Sequence, residues 1–460
     1  MFGAGLPTPP QQGWLGQRPA TTARLIGQQR AKRALPFSYH HNLPRKSAMR
    51  SLACLILFSC VGSVAAEEPW PQFLGPAANG SCRQADLPLT WSEKKNVRWK
   101  TPIHDRGHSS PVVWDKQIWL TTAAEDGKQL YAVCVDRDSG KIVHDIRVFE
   151  VEKPEHINDL NSYASPTPVV EAGRVYVHFG TYGTACLDTA SGKTLWARRD
   201  LHCNHFMGPG SSALVYKNLL ILNFDGTDVQ YVVALDKQTG ETVWKKNRST
   251  DYAKAEGDRR KAYSTPTMID VGGPQLISCG AFAAFAYVPE TGKEIWKVCY
   301  PGGFSNVSHP LHGQGLLFLN TGFERPEIWA VRPEGRGDIT SSHVVWKDKE
   351  KNLPTKPSIV LVGELLFFVN DNGIATCLEA KTGTKVWQER IRGFFSASPL
   401  ASPGRIYFFD HDGKTTIIAP ERKLKVLAVN QLDDGFMASP AVTGNALILR
   451  TKTHLYRIEP

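Results

Sequence analysis

The sequence of 460 residues has no Cys-x-x-Cys-His segment and no Gly-x-Ser-x-Gly segment. The first absence argues against a covalently attached haem, and the second against the nucleophile elbow of a serine hydrolase. Acidic residues are missing before Glu67, where eight Lys and Arg residues stand. Beyond that point 46 basic residues face 44 acidic ones, a net charge of +2 against +10 for the whole chain. A balance so close to neutral gives no support for nucleic-acid binding driven by bulk charge.

The N-terminal region predicts export. Residues 1–48 are rich in Pro, Gln, Gly and Arg and show no hydrophobic period, so we interpret them as a disordered leader or as the product of a mis-assigned start. Residues 49–66 carry a basic residue, the apolar run Leu52–Phe58 and small residues before Glu67, which is the pattern of a signal peptide. This run is too short to span a membrane as a helix. Cys60 lies in a segment that resembles a lipoprotein box, so a lipid anchor is an alternative.

Cysteine usage does not indicate a disulfide framework. Two of the nine cysteines fall within residues 49–66, which leaves an odd number for the exported chain. Cys134, Cys186 and Cys377 occupy the same place in a repeated strand, which is typical of small buried apolar residues. A bridge stays open among Cys203, Cys279 and Cys299.

One short pattern recurs along the chain. Ala234–Trp244 combines an apolar run, a turn and a second apolar run that ends in tryptophan. Asp236 can bond to the turn backbone, Gly240 can adopt a positive φ, and the residues up to Trp244 favour a strand, so the pattern predicts a β-hairpin. The same offsets recur in hairpins that lead to Trp196, Trp296, Trp346 and Trp387, and in one that has His144 at the tryptophan position.

An apolar strand that follows a small residue or a proline precedes the hairpins. Eight copies occur at spacings of 41 to 57 residues, starting at Pro111, Pro168, Ala213, Pro266, Pro310, Ser358, Pro399 and Pro440. A period of this length with four short strands per unit is typical of a propeller. We therefore predict an all-β fold, an eight-bladed β-propeller with four antiparallel strands per blade over residues 97–460, preceded by an irregular arm over residues 67–96.

The two ends of the repeat region are complementary. Val97–Thr101 is a lone strand that has Trp99 at the tryptophan position and no hairpin before it. The last repeat supplies only three strands, the third of them His454–Ile458. We predict that the N-terminal strand completes the last blade, because this closure removes two open sheet edges.

Long insertions occur at one place in the repeat, between the outer strand of one blade and the inner strand of the next. They therefore build up one rim of the disc, which we expect to be the working face. Serines precede most inner strands, and this recurrence indicates a structural role and not a nucleophile. Residues near these serines would line the mouth of the central channel and suit a peptide or small ligand. These candidate binding residues are His108, Tyr163, Met207, Tyr263, Asn306, Lys356, Phe395 and Phe436.

Histidines near the channel invite a metal interpretation. His108, His205 and His309 could approach one another, but they are spread over separate blades without a metal-ligand spacing. Positions in turns or on the polar rim are the favoured interpretation. Asp225–Asp228 and Asp410–Gly413 resemble fragments of calcium loops that lack the full ligand count. The sequence predicts neither a metal site nor a catalytic residue.

The hairpin Ala-Leu-Asp-x-x-Thr-Gly-x-x-x-Trp resembles the repeat of the pyrroloquinoline-quinone (PQQ)-like β-propellers, which include quinoprotein dehydrogenases and the BamB lipoprotein of outer-membrane assembly. Four further segments, Trp70–Pro76, Arg106–Val112, Gly335–Thr340 and Phe436–Ala441, are similar to the PQQ-binding-like repeat proteins of planctomycete-type bacteria. The resemblance covers residues 70–460. It is weak as to activity, because enzymes, sensors and scaffolds all reuse this propeller.

The resemblance implies that a quinoprotein alcohol dehydrogenase would have two adjacent cysteines beside the cofactor, and carboxylates with an asparagine around calcium. No Cys-Cys pair occurs here. No cofactor is therefore predicted, and PQQ with calcium is kept as the alternative.

We interpret the chain as an exported, non-catalytic binding or assembly module of the periplasm or cell envelope. As a monomer, it would recognise a protein or small-molecule ligand at the channel mouth and rim. The alternative is a periplasmic PQQ-dependent oxidoreductase. Dye-linked alcohol oxidation after reconstitution with PQQ and calcium would discriminate the two. A sensor propeller, the third possibility, would have to signal through another chain.

Overall fold

Eight sheets form the structure, a computed structural model that describes residues 68–460. Seven sheets have four strands, one has five, and all but one of the pairings between these strands are antiparallel. This confirms the predicted all-β, eight-bladed propeller. The predicted leader (1–48) and signal peptide (49–66) lie outside the described residues. Between residues 68 and 460, no helix is long and apolar enough to cross a membrane.

Within blades 1 to 7 the strands follow in chain order from the channel outwards. The strands are β1 (Val97–Pro102); in blade 1, β2 (Val112–Trp114), β3 (Gln117–Ala123), β4 (Gln129–Asp136) and β5 (Ile142–Glu150); in blade 2, β6 (Val169–Glu171), β7 (Arg174–His178), β8 (Thr184–Asp188) and β9 (Thr194–Arg198); in blade 3, β10 (Leu214–Tyr216), β11 (Leu219–Asp225), β12 (Gln230–Asp236) and β13 (Thr242–Asn247); and in blade 4, β14 (Thr267–Asp270), β15 (Pro274–Cys279), β16 (Ala283–Tyr287) and β17 (Glu294–Cys299).

The second half of the ring repeats this order. Its strands are, in blade 5, β18 (Leu311–Gly313), β19 (Leu316–Asn320), β20 (Ile328–Val331) and, after the short strand β21 (Gly337–Asp338), β22 (Val344–Asp348); in blade 6, β23 (Val360–Val362), β24 (Leu365–Val369), β25 (Ile374–Glu379) and β26 (Lys385–Arg390); in blade 7, β27 (Leu400–Ser402), β28 (Arg405–Phe409), β29 (Lys414–Ile418) and β30 (Val426–Gln431); and in blade 8, β31 (Ala441–Thr443), β32 (Ala446–Arg450) and β33 (His454–Ile458). Short helices cover Gly180–Tyr182, Gly257–Arg260 and Thr340–His343.

The N-terminal strand closes the ring as predicted. β1 is the outer strand of blade 8 and pairs antiparallel with β33, with Lys100 opposite Tyr456 and Trp99 opposite Arg457. The two ends of the repeat region therefore share one sheet, and neither β1 nor β33 is left as an unpaired strand.

The core lies between neighbouring blades. Every residue of β11 is buried, because blades 2 and 4 pack on its two faces. One apolar cluster, for example, joins Trp119 of blade 1 to Val175 of blade 2. Cys134, Cys186 and Cys377 have no exposed area, which agrees with their interpretation as small buried residues. Cys203, Cys279 and Cys299 are free, as are the other cysteines among residues 68–460.

The tryptophan at the end of the hairpin packs onto the next blade. In blade 2, Trp196 donates from Nε1 to the carbonyl of Lys237 in blade 3 at 3.0 Å, and its ring covers Gly240. Gly240 has a φ of 78°, and a Cβ there would lie 2.7 Å from the indole. Both the backbone conformation and the packing of Trp196 therefore require glycine. Equivalent donations at 2.9–3.0 Å join Trp99 to Arg137, Trp244 to Pro289, Trp346 to Ala380 and Trp387 to Glu421.

Two blades vary this contact. His144 takes the tryptophan position in blade 1, and its Nε2 lies 3.3 Å from the carbonyl of Thr189 in blade 2. In blade 4, Trp296 is fully buried and donates instead to Gln275 Oε1 at 2.8 Å. The long connection in blade 5 adds β21 to β17 as a parallel fifth strand, with Gly337 opposite Trp296. The sequence pattern does not predict this extra strand.

The packing of Trp196 on Gly240 gives a testable prediction. We expect Gly240→Ala to lower the free energy of unfolding by about 1–3 kcal/mol more than Gly404→Ala, because only the first substitution overpacks an indole. Gly404 is a matched control, since its φ of 76° imposes the same backbone strain and no atom lies within 4 Å of a built Cβ. Urea unfolding followed by tryptophan fluorescence measures both, and equal losses would contradict the proposed contact.

Residues 68–96 form an arm, without helix or strand, that crosses the channel. Trp70 exchanges two backbone hydrogen bonds with Val113 of blade 1, at 2.9 and 2.7 Å. Phe73 packs edge-to-face on His309 of blade 5, with ring centroids 5.9 Å apart. Further along, the carbonyl of Gly80 accepts from the Ala401 N–H of blade 7 at 2.8 Å. The arm therefore connects inner strands on opposite sides of the ring.

Candidate functional site

A ring of hydroxyl groups joins the inner strands where they begin. The N–H of Ser110 donates to Thr167 Oγ1 at 3.0 Å, and the next blades repeat this contact at 2.9 Å through Ser212 and Thr265. From blade 5 the ring continues at 2.9–3.1 Å through Ser358, Ser398 and Ser439, and returns to Ser110. Side-chain oxygens thus satisfy the backbone of strands too short to pair fully. Of the serines predicted to have a structural role, Ser439 belongs to this ring. Ser211 and Ser264 precede ring members and donate instead to the carbonyls of Ser264 and Ser308, at 3.0 and 3.1 Å.

The register of blade 6 corrects one predicted start. Val360 of β23 pairs with Phe367, as Leu400 pairs with Tyr407 in blade 7. The residue equivalent to Pro399 is therefore Ile359, one position after the predicted start at Ser358. Ser358 belongs to the hydroxyl ring instead, because its Oγ accepts from the His309 N–H.

Blade 5 interrupts the hydroxyl ring with His309. The side chain is 4% exposed, and neither ring nitrogen has a hydrogen-bond partner among residues 68–460. Burial lowers the pKa of His309 to about 4. The imidazole is therefore neutral at neutral pH and packs under the arm as an aromatic ring beside Phe73.

The eight predicted mouth residues lie four to seven residues before the inner strands, and half of them are buried. Asn306 donates to the carbonyl of Asn320 at 3.0 Å, and Tyr163 to that of Glu155 at 2.6 Å. Phe436 packs edge-to-face on Phe409, and Phe395 is 1% exposed. These contacts hold the rim connections on the blades.

The other four predicted residues, His108, Met207, Tyr263 and Lys356, are half-buried. Tyr263 links blades 3 to 5, because its hydroxyl donates to the His205 carbonyl at 3.0 Å and its N–H donates to the Asn306 carbonyl at 2.8 Å. Met207 follows His205 in the same connection. Lys356 instead forms an ion pair with Asp371 of its own blade. The structure thus brings Met207, Tyr263 and Asn306 together and leaves Lys356 in a different sector.

The histidines considered as metal ligands lie in separate surroundings. Nε2 of His205 accepts from the Thr181 N–H at 3.1 Å, and the sulfur of Cys203 is 3.6 Å from both ring nitrogens. Burial lowers the pKa of His205 to about 4 and raises the pKa of Cys203 well above its usual value. This pair is therefore a neutral imidazole beside an unreactive thiol. Within residues 68–460, no three His, Cys, Asp or Glu side chains are grouped to hold a metal ion.

The residues at the mouth do not fit PQQ with calcium. The resemblance implies carboxylates that are available to the metal, whereas Asp371 is paired with Lys356 and Asp410 lies 3.2 Å from Lys414. Adjacent cysteines are missing from the sequence. We therefore derive no chemistry from this cofactor.

A small pocket opens between blades 1 and 2 at the rim. Its volume is about 210 Å³, and its walls include Arg106, His156, Ser162 and the predicted residue Tyr163. The guanidinium of Arg106 donates to the carbonyl of Asp159, which closes one side. The pocket is polar and suits a small hydrogen-bonding group rather than an apolar ligand.

The rim also presents exposed apolar side chains that the sequence patterns do not single out. They lie in insertions or in turns between second and third strands, are 37–58% exposed, and are Leu160, Phe206, Val229, Val307, Phe323 and Phe394. Phe206 and the buried Phe304 lie 5.1 and 5.3 Å from the Lys261 ammonium, and the Phe323 N–H donates to the Phe304 carbonyl at 2.8 Å. We call Phe206 and Phe323, with Phe304 beneath them, the rim patch. In the sequence, the one signal for the rim patch is Phe206, a large apolar residue within a mostly polar insertion.

Comparison with known proteins places this architecture in a family. The family model described as outer membrane protein assembly factor BamB matches residues 89–284 and 230–459. The chain belongs to the BamB family. One BamB family member, the outer membrane protein assembly factor BamB of Shewanella oneidensis, is 22% identical over 309 residues, which cover 62% of this chain and 72% of the relative.

Solved structures agree with BamB family membership at the level of the fold. The crystal structure of BamB from Moraxella catarrhalis has a TM-score of 0.54 at 12% identity and covers 79% of this chain and 99% of its own. The quinohemoprotein alcohol dehydrogenase from Comamonas testosteroni has a TM-score of 0.62 at 11% identity, with 85% and 80% covered. An assembly factor and an enzyme thus share this propeller, so the fold by itself does not decide the activity.

Proposed function

We propose that the chain is an exported, non-catalytic scaffold that docks a protein partner through the rim patch and acts as an assembly factor for outer membrane proteins. Membership of the BamB family and the name of the Shewanella relative support the assembly role. The predicted signal peptide supports export to the periplasm or cell envelope.

The single observation that carries the docking role is the exposure of aromatic side chains on the rim. Phe206 is 45% exposed and Phe323 53% exposed, and both stand on connections that rigid blades hold in place. Exposed aromatic anchors of this kind dominate the energetics of protein interfaces. Charged groups lie beside them, since the buried Lys261 faces Phe206 and Arg259 pairs with Glu324 beside Phe323. The expected partner therefore offers an apolar segment that covers the two rings.

Site-specific crosslinking tests this proposal. We expect a photo-reactive residue at position 206 or 323 of the full chain to crosslink one and the same outer-membrane assembly protein in envelope membranes. Position 243 is the matched control, because Val243 is 51% exposed on the outer strand of blade 3, away from the rim. With that purified partner, Phe206→Asp together with Phe323→Asp is expected to weaken binding at least about tenfold. Equal crosslinking at all three positions, or unchanged affinity, would refute the docking role.

A further inference from the structure

Arg450 is a buried cation without a counter-ion. It ends β32 at the rim between blades 8 and 1 and is 2% exposed. Its Nη1 donates to the Ser109 carbonyl at 2.9 Å, to Ser109 Oγ at 2.7 Å and to the Thr121 carbonyl at 2.9 Å. Among residues 68–460 it has no carboxylate partner, and burial lowers its pKa to about 9. A buried guanidinium is costly unless a negative charge compensates it.

The structural role of this position does not require a charge. Asn223 occupies the same place in blade 3, two residues beyond the strand partner of the first inner-strand residue. Its Nδ2 donates to the carbonyl of Ser264 in blade 4 at 2.9 Å, just as Arg450 donates to that of Ser109 in blade 1. A neutral amide therefore suffices to connect two blades, and the charge of Arg450 needs another explanation.

Other cations around Arg450 are also held by carbonyl groups. Lys452 donates to the His411 carbonyl at 3.1 Å, and Arg106 donates to the Asp159 carbonyl. His108 stands between Gly107 and Ser109, which both contact Arg450. Its pKa is lowered to about 3 by burial first, and then by the charges of Arg450, Arg106, His411 and Lys452.

Two carboxylates on this side of the mouth already have partners. Asp410 lies 3.2 Å from the Lys414 ammonium, and Asp434 accepts from Thr453 at 2.7 Å. Asp412 is exposed on the turn beside His411. The local charge therefore remains positive at the junction of blades 7, 8 and 1.

We propose that Arg450, Lys452 and His108 form a binding site for a compact oxoanion, the carboxylate or phosphate group of a small ligand. Arg450 supplies the buried charge with planar donors, and Lys452 supplies a charge at the exposed surface. Gly107 permits this arrangement, because a Cβ there would lie 2.4 Å from Arg450 Nη2. The site does not depend on the docking role, since the rim patch belongs to the connections of blades 3 to 5.

Thermal unfolding of the full chain tests the site at pH 7.5, with sodium phosphate, sodium acetate and sodium chloride at equal ionic strength. We expect phosphate or acetate to raise the Tm above its value in chloride, because a ligand that binds the folded state stabilises it. Arg450→Asn, which keeps an amide donor as in blade 3, and Lys452→Gln are each expected to weaken this binding at least about tenfold. The anion with the larger effect identifies the ligand group.

Two controls keep the result specific. Arg422→Gln removes an exposed cation that pairs with Glu379 far from the rim, and it should leave the anion effect unchanged. If Arg450→Asn does not fold, Lys452→Gln carries the test, since Lys452 is exposed. An increase in Tm that survives in both variants, or no increase beyond chloride in the wild-type chain, would overturn the proposal.

Discussion

We expect Asp225→Ala to lower the free energy of unfolding by about 3–5 kcal/mol, the usual cost of removing one member of a buried ion pair. Asp225 faces Arg248 at the junction of blades 3 and 4, where the two side chains are 2% and 0% exposed. Nη2 of Arg248 donates to Asp225 Oδ2 at 2.6 Å and to Ser278 Oγ at 3.0 Å, and Nε also donates to the carboxylate. Without Asp225 the guanidinium would remain buried and uncompensated.

The surroundings of Arg248 offer it no second carboxylate within the described part of the chain. Its Nη1 already lacks a hydrogen bond within the described part of the chain, and its guanidinium carbon lies 5.4 Å from the centre of the Phe285 ring. A Cβ at Gly280 would lie 2.8 Å from Arg248 Cδ, so the side chain is confined by close packing. Relaxation after the substitution is therefore small, which favours the upper part of the expected range.

Equilibrium unfolding in urea measures this effect, with Glu290→Ala as the control. Glu290 pairs with Lys217 at 2.6 Å, but these side chains are 44% and 64% exposed, so we expect a loss of about 1 kcal/mol or less. Replacing Asp225 by Leu together with Arg248 by Met should recover most of the loss, because both buried charges are then removed. If Asp225→Ala costs no more than the control, the pair is not important for stability.

The second large effect is a loss of stability in mild acid. His178, His205 and His309 are 2–6% exposed, and burial lowers their pKa values to about 3, 4 and 4. In the unfolded chain a histidine titrates near pH 6.5. As pH falls from 6.5 towards 4.5, the unfolded state therefore binds protons that the folded state does not. Stability should fall by about 1.4 kcal/mol per pH unit for each histidine once the unfolded chain is protonated.

Burial keeps all three rings neutral, and hydrogen bonds also suit the neutral form of two of them. Nε2 of His205 accepts from a backbone N–H, and Nδ1 of His178 lies 2.8 Å from Thr184 Oγ1 in a fully enclosed site. His104 behaves in the opposite way. Burial alone would lower its pKa, but hydrogen bonds to Asp105 and Asp145 outweigh burial and raise it. Its contribution is thus fully present below pH 6.5 and is lost only as pH rises through the folded pKa, so it does not change in the window tested.

His309→Ser isolates one of these contributions. The substitution restores the hydroxyl that the other seven blades have in the ring. We expect it to reduce the pH dependence between 6.5 and 4.5 by about a quarter or less, because the pKa of His108 is lowered as well. Urea unfolding at four pH values in this window measures the slope. His156→Ser is a suitable control, because His156 is exposed at the rim. If the free energy of unfolding depends on pH with the same slope in wild type and His309→Ser, His309 does not contribute to the acid sensitivity.

The repeat itself is readable because each blade performs the same local tasks. Gly240 must turn the hairpin and also leave room for Trp196. The position of glycine in the repeat therefore indicates both a turn and a contact between blades. The spacing of the hairpin alone aligns His144 with the tryptophans, and His144 makes the corresponding contact. Register at the start of blade 6 is harder to predict, because Ser358 and Ile359 both fit an apolar strand without proline, and only strand pairing decides between them.

The sites were less predictable than the blades. Counting back from an inner strand does not show whether Phe395 faces the channel or the core, since a connection can turn its side chains either way. Arg450 ends an apolar strand, and nothing in that strand indicates that the guanidinium is buried without a carboxylate partner among the described residues. Phe206 and Phe323 are 117 residues apart in the chain. Lys261 and Phe304 link them in the structure, because their connections share one rim.

The sequence by itself determined the blade count, the strand order and the closure by the N-terminal strand, because hairpin turns and apolar periodicity are local and each blade repeats them. The tertiary structure alone decided which residues face each other across blade junctions. Those contacts include the pair Asp225–Arg248, the uncompensated Arg450 and the rim patch. They depend on how blades pack around the axis, and a local pattern does not contain that information.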